Sequence, residues 1–163
     1  VRQSQGCVSI NISGQSLGDG AFLDFVVDEI HAKKVDTELV CFEITETAAI
    51  SDFTNALKFI NTLKGYGCKF ALDDFGSGLS SFGYLKNLPI DFIKIDGMFV
   101  KDILDDPVDL VLVEAITKVA HEIGVPTIAE FVENEAIEQK LKQIGVDYAQ
   151  GYHIGYPEPW ELD

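Results

Sequence analysis

The chain has 163 residues, enough for one domain with a sizeable core, and its 47% hydrophobic and 10% aromatic content excludes a disordered polymer. Asp and Glu number 27 against 12 Lys and Arg, a net charge of −15 that excludes a grip on long nucleic acid, which needs cations to displace phosphate counterions. No apolar run approaches the roughly 18 residues that cross a bilayer, and no signal-peptide pattern opens the chain, so the segment is expected to be cytoplasmic, with no membrane contact of its own.

Elements follow from periodicity, caps and breakers. Val8–Asn11 reads as a short strand and Ala21–Lys34 as a helix with Asp19 at its N-cap. Val40–Ile44 is a strand, and Asp52–Lys64 a helix capped by Ser51 and ended by Gly65 and Gly67. Phe70–Asp73 is a strand that breaks at the loop Gly76–Ser81, a candidate lid, with a short helix near Phe82–Lys86. Phe92–Ile95 is a strand ending in Asp96. Asp106-Pro107 opens the helix Val108–Ile123, with Gly124 beyond its end. Thr127–Glu130 is a strand, Glu135–Ile144 a helix between Asn134 and Gly145, and Tyr148–Gly151 the last strand.

Strands alternating with helices at spacings of roughly 20–35 residues define βα units and a parallel α/β sheet. Alternation of side chains then separates a barrel from an open sheet. Glu43 opposes Phe42 and Ile44, and Asp73 lies with Ala71 opposite Phe70 and Leu72. Lys94 and Asp96 oppose Ile93 and Ile95, while Asn11 opposes Ile10 and Ile12. A doubly covered open sheet wants both faces apolar. Polar groups at the C-terminal strand ends instead predict the mouth of a TIM-like (β/α) barrel. Such barrels have eight strands in about 250 residues. Here about six are expected, so residues 1–163 read as one partial barrel domain.

Carboxylates that end several apolar strands around one strand lysine point to a divalent-metal hydrolytic site. Asp73 and Asp74 are adjacent, so one points into the mouth and the other sits at the strand–loop turn. One bridging and one terminal carboxylate can hold two cations roughly 3.5–4 Å apart. Asn11, Glu43 and Glu130 add oxygen donors from three further strands, a set that suits Mg²⁺ or Mn²⁺ better than Zn²⁺. Lys94 is expected to face inward. Burial and nearby metals would lower its pKa and make it a base, whereas the carboxylates would raise it and make it a counter-ion. Cys7, Cys41 and Cys68 form no metal spacing and, being odd in number, fit a reducing compartment. Cys41 and Cys68 read as core filler. Of the three histidines, only His153, just after the last strand, is a candidate for lining the site.

The stretches FEITET, ALDDFGSGLSS, LPIDFIKID, IAEFVE and YAQGYHIG occur in the order and spacing of EAL-domain cyclic di-GMP phosphodiesterases, and the chain resembles that family over nearly its whole length. The resemblance implies a barrel that binds two Mg²⁺ or Mn²⁺ ions and hydrolyses cyclic di-GMP to linear pGpG. It makes Asn11, Glu43, Asp73 and Asp74 metal ligands, with Glu130 completing the second metal's shell. Lys94 becomes the base or water-orienting group, Glu133 a support for loop and lysine, and Gln150 a group positioning water or substrate. The family's Glu-Ala-Leu strand is not in the chain, and Leu79, Phe131 and Tyr156 stand where the lid tyrosine, a glycine and a lysine are usual. On this reading the isolated chain is expected to be inactive and its parent active, with regulatory domains. Unpaired strand edges would favour self-association. The alternative is a non-catalytic cyclic di-GMP receptor, and a third reading is an unrelated Mg²⁺-dependent barrel lyase.

Overall fold

A computed structural model describes residues 7–77 and 82–158. The lid expected at Gly76–Ser81 therefore falls largely outside the described residues. Six strands, β1 (Val8–Ile12), β2 (Val40–Thr45), β3 (Lys69–Phe75), β4 (Phe92–Ile95), β5 (Thr127–Ala129) and β6 (Tyr148–Ala149), form one parallel sheet in sequential order. A doubly wound sheet reverses its strand order at a switch point, whereas sequential order is the progression of a (β/α) barrel. The described residues form an incomplete barrel of six strands. Among the described residues β1 and β6 each pair on one side only.

Among the described residues seven α-helices intervene: α1 (Gly14–Gly18), α2 (Gly20–Lys33), α3 (Glu46–Ser51), α4 (Phe53–Lys64), α5 (Gly97–Lys101), α6 (Pro107–Glu122) and α7 (Glu135–Ile144). The foreseen caps act as such. Asp19 accepts from the Ala21 and Phe22 amides, Asp106 from Val108, and Asn134 from Ile137. Ser51 does not cap α4, because it is the last residue of α3; Asp52 does so, accepting from the Asn55 amide. Helices α1, α3 and α5 were not foreseen. Each is five or six residues long, too short to show a hydrophobic period, and each starts on a polar cap at or just past a strand end: Ser13, Thr45 and Asp96.

Alternation sets the core. Phe42 and Phe70 leave the helix-facing side of β2 and β3 and meet Phe59 of α4 edge-on, with ring centroids 6.1 and 6.2 Å apart. All three rings are buried, and each contributes roughly 1.5–3 kcal/mol through removal from water. Cys41 and Cys68 are buried filler, and burial pushes the Cys41 thiol up to about 12. No helix among the described residues is long and apolar enough to cross a membrane.

Strand ends differ from expectation: β1 and β2 each run one residue further, to Ile12 and Thr45. β3 runs on through Asp74 to Phe75, β5 stops at Ala129 so that Glu130 lies just beyond it, and β6 is only Tyr148–Ala149.

Candidate metal centre

Polar groups on or just past successive strands gather at the same end of the sheet. Asn11 lies on β1, Glu43 on β2, Asp73 and Asp74 on β3, Lys94 on β4, Glu130 just past β5 and Gln150 just past β6. Parallel register sets these heights: Asn11 pairs with Glu43, and Thr45 with Asp73.

Lys94 is the hub. Only 4% exposed, it donates from Nζ to Glu43 Oε2 at 2.8 Å, with Glu130 Oε1 at 2.8 Å and Asp73 Oδ1 at 2.9 Å. Burial pushes the lysine down, but the contacts with Glu130, Glu43 and Asp73 outweigh it and hold the ammonium well above the ordinary lysine range. Of the two opposing effects, pairing wins.

A β-bulge solves the problem posed by two adjacent aspartates. Leu72 pairs with Ile93 and Phe75 with Ile95, so three steps along β3 face two along β4. Asp74 takes the left-handed conformation this requires, at φ +52°. Plain alternation would turn Asp74 away from Asp73. Instead carboxylate oxygens of Asp73, Asp74 and Glu130 come within 4.8 Å of one another. Burial and crowding show in the proton affinity of Asp74 and Glu130. Burial, then Asp73 and Asp96, push Asp74 up, and burial pushes Glu130 up against the pull of Lys94.

The donor set fits hard divalent cations. Asp73 Oδ1 is buried and, although within ion-pair range of Lys94, has no hydrogen-bond partner. A buried carboxylate oxygen met only by the Lys94 ammonium, beside two further carboxylates, leaves an excess of negative charge that a hard cation would offset. Asn11 is exposed and in register with Glu43, and Glu43 meets Lys94 without joining the three carboxylates that lie within 4.8 Å of one another.

Glu133 and Gln150 lie to one side. With Glu130, Phe131, Gly151 and Tyr152 they line a cavity of about 190 Å³. The Gln150 backbone holds this wall, its amide donating to Ala129 and its carbonyl accepting from Val132. The closeness of Gly151 to Val132 leaves no room for a Cβ. His153 is not among the lining residues; it pairs with Glu138 of α7 at 3.2 Å.

One functional candidate escaped the sequence reading. Glu46, 1% exposed, accepts from the Gly76 amide at 3.1 Å and from the Tyr84 hydroxyl at 2.7 Å. It ties the segment after β3 to α3. Its acidity two residues past a strand was the available signal, but both partners lie 30 or more residues away.

A partial (β/α) barrel with an oxygen-rich, carboxylate-and-lysine cluster at its strand ends is thus the class that the fold and site define. The chain belongs to the EAL domain family, whose model matches residues 2–157. It is 45% identical over 153 residues to the cyclic di-GMP phosphodiesterase PdeB of Shewanella oneidensis, covering 94% of this chain and 18% of that protein. The chain therefore spans about a fifth of the length of this relative. Its structure resembles the PaMucR phosphodiesterase in its c-di-GMP complex, with a TM-score of 0.88 and 30% identity over 94% of this chain and 62% of that one. It also resembles a manganese and cyclic di-GMP complex of Klebsiella pneumoniae BlrP1, with a TM-score of 0.80 and 28% identity over 90% of this chain and 38% of that one.

Proposed function

We propose that the protein carrying this domain hydrolyses cyclic di-GMP to linear pGpG in bacterial second-messenger signalling, with two Mg²⁺ or Mn²⁺ ions. One observation carries the reading: carboxylates from β2, β3 and the end of β5 converge on Lys94, three anionic groups against one ammonium. The relatives' names and the nucleotide complexes among similar structures support the substrate class.

Asp73, Asp74, Glu43, Glu130 and Asn11 would hold the cations. Bound there, the metals would supply the Lewis acidity and charge neutralisation that phosphodiester hydrolysis needs. Lys94 holds its proton at Nζ while the carboxylates face it. As an ammonium it orients a water or a phosphoryl oxygen through hydrogen bonds. To act as a base it must first lose that proton, which neutralisation of the carboxylates by metal favours. Glu133 and Gln150 would contact substrate from the cavity wall, and a cytoplasmic location with regulatory domains in the parent protein completes the reading.

The test is a Mg²⁺ and Mn²⁺ titration of the full-length protein, following cyclic di-GMP by chromatography beside a Lys94→Ala variant. Metal-dependent pGpG formation that the variant loses is the expected result. Tight binding without turnover would make the protein a receptor, and absence of any cyclic dinucleotide binding would overturn both readings.

A further inference from the structure

Phe131 is an anomaly of conformation, exposure and place. It sits between Glu130 and Glu133 at φ +53°, a left-handed backbone that strains a residue with a Cβ. The residue is 58% exposed, although large aromatic side chains gain most by burial. Strain of this kind persists where the surroundings enforce it, and it clusters at ligand sites.

The ring is nonetheless fixed. It lies against the Cα of Gly97, the first residue of α5, so closely that a Cβ there would overlap Phe131 Cγ and Cδ2. Gly97 thus acts as a seat, leaving the rest of the ring to solvent. Its neighbour Val132 is fully buried and held on both sides, its amide donating to the Gln150 carbonyl and its carbonyl accepting from the His153 amide. The turn that displays Phe131 is anchored at each end.

What the ring displays itself to is the cavity of about 190 Å³ shared with Glu130, Glu133, Gln150 and Tyr152. Tyr152 is a second exposed ring on that wall, steadied by stacking on Tyr156 with centroids 4.9 Å apart and planes 15° from parallel. The remaining lining side chains are two carboxylates and one carboxamide, so the rings supply its principal apolar surface. A flat, uncharged π system is the ligand group that gains from an aromatic wall and is not repelled by neighbouring carboxylates.

We propose that Phe131 is a specificity-determining residue, a platform on which a purine base of the nucleotide substrate stacks while the phosphodiester lies at the carboxylate cluster. This rests on the phosphodiesterase reading and adds to it the residue that recognises the base. Loss of one stacking platform reduces base affinity by roughly tenfold.

The experiment uses full-length protein with Mn²⁺, comparing wild type with Phe131→Ala, Phe131→Leu and Phe131→Trp. Steady-state kinetics on cyclic di-GMP are measured beside thermal melting. The expected result is a KM raised roughly tenfold in the Ala and Leu variants, the loss falling on KM rather than kcat, with recovery toward the wild-type KM in the Trp variant. Should Phe131→Ala fail to fold, Phe131→Leu carries the same comparison. KM within twofold of wild type in the folded variants, or a loss confined to kcat or melting temperature, would overturn the platform and leave Phe131 as filler over Gly97. Wild-type protein that neither turns over nor binds cyclic di-GMP would overturn the phosphodiesterase reading and the platform with it.

Discussion

Lys94 pairs with three carboxylates that otherwise face one another across the barrel mouth, its single positive charge offsetting only part of theirs. In chelator, Lys94→Ala is expected to lose about 3 kcal/mol of stability in urea denaturation, the cost of leaving buried charges unpaired. Mn²⁺ should restore part of that loss, because it replaces the missing positive charge. Asp74→Asn tests the opposite sign. A carboxyl with raised pKa binds its proton more tightly folded than unfolded, so metal-free stability from Asp74 and Glu130 rises as pH falls from neutral into the window above the ordinary carboxylate pKa. Asparagine tolerates the left-handed backbone and carries no charge, so the metal-free variant should melt about 1–2 °C higher at pH 7 while binding Mn²⁺ less tightly. In wild type, Mn²⁺ affinity by calorimetry should decline on acidification at a higher pH than for unperturbed carboxylates, since protons compete for the same oxygens. The gathering of carboxylates around Lys94 was legible because strand-ending carboxylates stand out against apolar alternation. The direction of the Lys94 shift was not, since it depends on distances that spacing does not contain.

At the scale of elements, the polar clasps between strands and helices decide local stability. Glu46 binds the segment after β3 and the 3₁₀ turn Phe82–Asn87 to α3. Glu46→Ala should cost about 2–3 kcal/mol by leaving the Gly76 amide and Tyr84 hydroxyl without an acceptor, and should speed hydrogen exchange at Gly76. Asp147 clasps β5 to the start of β6, accepting from the Thr127 amide and hydroxyl and meeting His121 at 2.8 Å. Burial pushes Asp147 up, but the Thr127 and His121 contacts outweigh it and hold the carboxyl below its usual range. Its contribution is therefore present above the ordinary carboxylate pKa and lost as pH falls through the depressed folded value. Asp147→Asn should be less stable by about 1–2 kcal/mol at pH 7, with the two proteins converging in strong acid. The long helices were legible through caps and periods. The bulge at Asp73-Asp74 was not, since a period of two carries no mark of where a residue is inserted.

For the whole molecule, barrel topology was readable because one face of each strand is apolar and the other small or polar, a pattern an open sheet does not need. The outer edges of β1 and β6, unpaired among the described residues, offer backbone donors and acceptors to another chain. The 163-residue chain on its own is expected to self-associate, with a light-scattering mass that rises with concentration; a constant monomer mass would count against those edges as its cause. The strand order has a further consequence, for how the chain is made. Partners in the sheet are separated by only 20 residues (Ile128 and Tyr148) to 34 (Ile93 and Thr127), so no contact between strands waits for a distant part of the chain. Loop closure is cheap at such separations and local topologies fold fast. On the ribosome, each βα unit can dock on the strand completed just before it, and the sheet lengthens at a single growing edge as the chain emerges.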